Sequence, residues 1–93
     1  MKKLTEDELR QALQELPDWK LENGEIVQQR TLKDFVAAMA FVNDVAQLAE
    51  AAGHHPDIDI RYNRVRLSLI THDAGGLTSN DTNLARKINN LAH

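Results

Sequence analysis

The sequence predicts an α+β fold, a two-layer sandwich in which a four-stranded antiparallel sheet carries helices on one face. The expected order is α-β-β-α-β-β-α. Segments of helical period alternate along the chain with pairs of short runs of period two. Each pair is interrupted by a two-residue turn signal. Hairpin-linked strands separated by helices build an antiparallel sheet covered on one side.

Thr5, with Glu8 three residues later, is a capping-box signature, and Leu9, Ala12, Leu13 and Leu16 follow at helical spacing. Pro17 ends this helix. Between Trp19 and Leu32, Asn23-Gly24 separates two runs expected as strands near 18–22 and 25–31, because both residues tolerate the positive φ of a tight hairpin. Thr31 and Asp34 form a second capping signal, and 33–52 contains neither Gly nor Pro. Phe35, Met39, Val42, Ala46 and Ala49 make one stripe of that helix; Phe41, Val45, Leu48 and Ala52 make another. An apolar sector this wide suits either a generous core contact or a partner surface. Gly53 stands where a left-handed residue closes a helix.

In 57–71, Ile58, Ile60 and Tyr62 alternate with Asp57, Asp59 and Arg61, and Val65, Leu67, Leu69 and Thr71 alternate with Arg66, Ser68 and Ile70. This is a strand pair with one apolar face. His72 to Leu77, with Gly75-Gly76, reads as a loop. Thr78 and Asp81 give a third capping box before Leu84, Ile88 and Leu91 of a last helix.

With 93 residues the chain is expected to be one domain, 1–93, without repeats or linkers. A domain this small buries only about 60–65% of the surface its unfolded chain exposes. It has no cysteine to reinforce it, so oligomerisation is the remaining common route to added stability. A net charge of −3 without a basic run argues against nucleic acid. The apolar runs read as too short for a membrane span. The start Met1-Lys2-Lys3-Leu4-Thr5-Glu6-Asp7 turns acidic before any apolar core, unlike a secretory signal. A soluble cytoplasmic protein is expected.

Chemistry concentrates in three histidines, His54, His55 and His72, within 19 residues. If Asn63-Arg64 is the hairpin loop, Tyr62 faces Val65, Ile60 faces Leu67, Ile58 faces Leu69, and His55 lands opposite His72. Opposed residues have Cβ atoms about 4.5–5.5 Å apart. Glu50, four residues before His54, sits against the helix dipole. That placement makes sense if the carboxylate orients an imidazole for acid–base work. Against this stands the ordinary role of such histidines as surface or capping residues. The three histidines could supply ligands for a metal, but neighbours in extended chain point to opposite sides, so no metal is expected. Gly75-Gly76 lacks the strand–glycine–helix spacing of a phosphate loop. Trp19 and Tyr62 read as packing residues.

The run Glu50, His54-His55-Pro56, Tyr62, His72, Asp81, with its fixed gaps, resembles the signature of the pterin-4a-carbinolamine dehydratases, also called dimerisation cofactors of a homeodomain transcription factor. Leu32-Lys33-Asp34-Phe35, Tyr62-Asn63-Arg64-Val65, Thr71-His72-Asp73-Ala74-Gly75-Gly76-Leu77 and Asp81-Thr82-Asn83-Leu84-Ala85 are similar too, so the likeness spans roughly residues 4–91. Family members with Trp and Phe at the positions of Ile58 and Asp59 have an aromatic wall this chain lacks.

The resemblance implies helices on one side of a four-stranded sheet, and a homodimer or homotetramer. It implies a hydro-lyase that removes water from 4a-hydroxytetrahydropterin, such as 4a-hydroxytetrahydrobiopterin. The quinonoid dihydropterin formed would return to tetrahydrobiopterin. No cofactor is implied. By the resemblance, His54 and His72 flank the pterin as acid and base, His55 binds the ring or assists proton transfer, and Glu50 orients an imidazole. The backbone of Gly53, His54 and His55, and of Ile70, Thr71, His72 and Asp73, would hold the pterin's edge. Asp81 matches the last signature position, yet a helix-terminal charge explains it as well, and that structural reading is preferred. Two other readings stay open: a non-catalytic module that stabilises a partner's dimer through the long helix, and the same chemistry on a pterin of molybdenum cofactor metabolism.

Overall fold

The computed structural model describes residues 2–93. Its elements run α1 (Glu6–Gln14), β1 (Lys20–Glu22), β2 (Glu25–Thr31), α2 (Phe35–Ala52), β3 (Asp57–Arg61), β4 (Arg64–Leu69), a 3-10 turn at His72–Ala74 and α3 (Ser79–Asn89). The α-β-β-α-β-β-α order and the fold class are those the sequence predicts. The strands form one antiparallel sheet in the order β1-β2-β4-β3, with the two hairpins joined through β2 and β4.

Local chemistry sets the boundaries. Thr5 and Glu8 close a reciprocal capping box on α1, and Thr78 and Asp81 do the same on α3. Asn23 and Gly24 both take positive φ, 50° and 81°, and turn β1 into β2. At α2 the cap is Asp34 alone, whose side chain accepts the N–H of Ala37; Thr31 is spent as the last residue of β2. Gly53, at φ 63°, ends α2 as expected.

The sheet's inner face (Ile26, Val65, Leu67, Leu69) meets Ala38, Phe41, Val45 and Ala49 of α2 and Leu84, Ala85 and Ile88 of α3 in one core, with Leu16 and Trp19 at its margin. Among the described residues, one buried side-chain polar atom of this layer, Gln28 Oε1, lacks a hydrogen-bond partner. Trp19 Nε1 and Gln28 Nε2 both donate to Asn89 Oδ1, at 3.0 and 2.9 Å. The Arg30 guanidinium lies 4.3 Å from the Phe41 ring centroid.

Two expectations need correction. The apolar sector of α2 is broader than the run-length argument allowed: its 18 residues are long and apolar enough to cross a membrane by length and composition. In this fold it is the helix that covers the sheet, with Ala38, Phe41, Val42, Val45 and Ala49 buried. The second correction is the β3–β4 register. The turn is Tyr62-Asn63 rather than Asn63-Arg64, and the pairs are Arg61 with Arg64, Ile60 with Val65 and Ile58 with Leu67. Tyr62 adopts φ 57°. Asn63 is fixed to the β2–α2 junction, its Nδ2 and C=O both bonding the backbone of Leu32. The slip is two residues, so the side chains that remain paired keep their faces, while Tyr62 leaves the strand for the turn and is exposed.

Candidate active site

The segment 53–56 leaves the end of α2 toward β3, and the segment 70–78 leaves β4 toward α3, so two crossovers and a helix start meet at one end of the sheet. His54 and His55 lie on the first crossover and point apart, as neighbours in extended chain do. His54 turns inward: its side chain is 12% exposed, and Nε2 is 2.5 Å from Oδ1 of Asp81, which is fully buried. His55 turns outward, and its Nε2 lies 2.8 Å from Oε2 of Glu50, both side chains being well exposed.

Asp81 is the hub. Its Oδ2 accepts the Thr71 hydroxyl at 2.8 Å and the Thr78 backbone N–H at 2.9 Å, while Oδ1 faces His54. An ionised carboxylate accepts only, so in this contact Nε2 of His54 is the donor to Oδ1 of Asp81. That is the arrangement of a histidine whose tautomer is fixed by a buried acid. His72 opens the 3-10 turn immediately after Thr71 and is exposed. Neither of its ring nitrogens bonds another protein group among the described residues.

Several expectations change here. The opposed His55–His72 pair does not form, because the two-residue slip would carry His55 toward Ile70 if the ladder were extended. Glu50 does meet an imidazole, but that of His55 and not of His54. Asp81 is no mere helix-terminal charge: it closes the capping box and holds His54 at once. The Thr71 backbone is not free for a ligand's edge. Its N–H donates to Gly76 O, and its C=O accepts from Ala74 and Gly76. The N–H groups of Gly53 and His54 are likewise committed to carbonyls at the end of α2. The Asp81–His54 contact joins residues 27 apart, and only the final Asp of the signature hinted at it.

A separate hollow on the helix-free face of the sheet is lined by Gln29, Asp59, Arg61, Arg64 and Arg66. Arg61 is paired with Asp59, and Arg66 with Glu22. It holds no histidine, so the histidine cluster is the candidate for acid–base chemistry.

Residues 2–91 match the family model described as pterin 4 alpha carbinolamine dehydratase. The chain belongs to the pterin-4a-carbinolamine dehydratase family. A Chloroflexus aurantiacus protein provisionally named pterin-4-alpha-carbinolamine dehydratase is 62% identical over 91 residues, covering 98% of each chain. One from Acidobacterium capsulatum under the same provisional name is 60% identical, covering 98% of this chain and 99% of its own. The crystal structure of a transcriptional coactivator/pterin dehydratase from Brucella melitensis superposes with a TM-score of 0.90 at 38% identity, over 95% of this chain and 96% of that one. A pterin dehydratase-like protein identified as a RuBisCO assembly factor in the alpha-carboxysome shares the fold, with a TM-score of 0.61 at 18% identity over 75% and 81% of the chains.

Proposed function

We propose that this protein dehydrates 4a-hydroxytetrahydropterin, 4a-hydroxytetrahydrobiopterin in the recycling of tetrahydrobiopterin, by histidine acid–base catalysis. The observation that carries the reading is the Asp81-held His54 adjoining the turn that bears His72. In the reaction the C4a–O bond breaks as the departing hydroxyl is protonated. The N5 electron pair forms the C4a=N5 bond, and a base takes the N5 proton, so one proton is delivered and one removed for each water released. Imidazoles perform both transfers near neutral pH without extreme tuning.

His54 and His72 take these roles, and the ring face that bears the hydroxyl decides which one donates. His55, with Glu50 behind it, assists proton transfer or binds the ring. The pterin's edge falls to His55, Ile70, His72 and Asp73, since the amides of Gly53, His54 and Thr71 are already committed. No cofactor enters the proposal. A cytoplasmic location and assembly as a homodimer or homotetramer belong to the same reading.

A second reading, a module that stabilises a partner's dimer, is favoured by one observation. The start of α2 leaves Phe35 50% and Val36 76% exposed. The two readings are separated by following the decay of 4a-hydroxytetrahydropterin with wild-type and His72→Ala protein. The dehydratase reading expects acceleration by wild type and a loss of roughly a hundredfold in the variant. Equal decay with and without protein would favour the binding module.

A further inference from the structure

Thr71 makes two sets of bonds that together link the two histidines. Its backbone N–H donates to Gly76 O at 3.1 Å, and its C=O accepts from Ala74 at 3.1 Å and Gly76 at 3.3 Å, which folds the turn on which His72 stands. Its hydroxyl, in a residue only 8% exposed, points the other way, to Oδ2 of Asp81 at 2.8 Å. The same oxygen lies 2.8 Å from the hydroxyl of Thr78, itself fully buried. A hydroxyl has one proton. Since that of Thr71 goes to the carboxylate, Thr78 must donate to Thr71. Thr78 Oγ1 in turn accepts the Asn80 N–H at 3.2 Å. The protons therefore run in one direction, from Thr78 through Thr71 to Asp81, whose other oxygen receives His54.

We propose that Thr71 is a positioning residue for His54, acting through Asp81. This rests on the dehydratase reading for its catalytic consequence but not for its geometry. An aspartate carboxylate rotates easily about its last torsion. Asp81 is fixed because Oδ2 is gripped from two elements, by Thr71 after β4 and by the Thr78 amide at the start of α3. Without the Thr71 hydroxyl, one donor remains on Oδ2, and the Thr78 hydroxyl loses its acceptor in a buried place. Asp81 can then turn, and His54 with it. Asp81 from α3 is the charged group in contact with His54; the Glu50–His55 pair stands at the end of α2, and His72 and Asp73 stand on the 3-10 turn.

The test compares wild type, Thr71→Val, which keeps the shape, and Thr71→Ser, which restores the hydroxyl, after circular dichroism establishes that each is folded. For 4a-hydroxytetrahydropterin, Thr71→Val is expected to lower kcat roughly ten- to hundredfold, as misplacement of a reacting group does, with KM little changed. Thr71→Ser is expected to recover most of the loss. In nitrogen-resolved NMR of the substrate-free protein, His54 should be a single Nε2–H tautomer in wild type and in Thr71→Ser, and a mixture in Thr71→Val. A folded Thr71→Val protein with wild-type kcat and an unchanged His54 tautomer would overturn the proposal. Wild type supplies a check without any variant: the Thr71 hydroxyl proton should exchange slowly with water, and fast exchange would also overturn it. If wild type fails to accelerate the reaction, the dehydratase reading falls, while the NMR comparison still decides whether Thr71 positions His54.

Discussion

His54 Nε2 approaches Oδ1 of Asp81 to 2.5 Å, and the aspartate has no exposure to solvent. One carboxylate thus serves two purposes, closing the capping box of α3 and fixing the tautomer of an imidazole at the end of α2. Replacing it should affect both.

Asp81→Asn is expected to lose activity and stability together. Its amide cannot accept from Thr71, Thr78 and His54 in the same manner, so kcat should drop roughly a hundredfold. The loss of buried hydrogen bonds to the carboxylate should cost about 1–3 kcal/mol. Steady-state kinetics and urea unfolding check the two parts separately.

Glu50 and His55 should behave differently. Their side chains are 80% and 64% exposed, and an exposed ion pair contributes roughly 0–1 kcal/mol. Glu50→Ala should leave the urea midpoint nearly unchanged. Any larger effect should fall on turnover, through the orientation of His55, and kcat measured beside the unfolding curve distinguishes the two.

Gly53 is needed for its backbone. At φ 63° it closes α2, yet the position of a Cβ there is open space. Gly53→Ala should therefore destabilise by about 1 kcal/mol through conformation alone. Because the turn aims His54, a loss of activity should accompany the lower melting temperature.

The capping box of α1 gives a pH dependence of known sign. Hydrogen bonds from Thr5, backbone first and then side chain, lower the Glu8 carboxyl below its ordinary value. A lowered folded-state value means the contribution is present above the ordinary carboxylate range and is lost as pH falls through the lowered value. The melting temperature of wild type should exceed that of Glu8→Ala at neutral pH. The gap should narrow in acid, which parallel melts across pH would reveal.

The capping boxes of α1 and α3, the Asn23-Gly24 turn and the Gly53 stop were legible in the sequence because each is written in neighbouring residues. The β3–β4 register was not. Asn63-Arg64 and Tyr62-Asn63 are both possible turns, and the choice is made by Asn63 bonding the distant Leu32. Alternation could not detect the error, since a slip of two preserves both faces. The histidines were visible as a cluster, but their partners were not: Asp81 reaches His54 only after the sheet and α3 have assembled.

If the imidazole held by Asp81 moves a proton of the pterin, its removal must slow the loss of water itself. The most direct measurement is single-turnover loss of water from 4a-hydroxytetrahydropterin, with enzyme in excess, comparing wild-type and His54→Ala protein. Wild type should convert the substrate fast, and the variant at a rate lowered by roughly a hundredfold or more. Conversion at the same rate by both would contradict it.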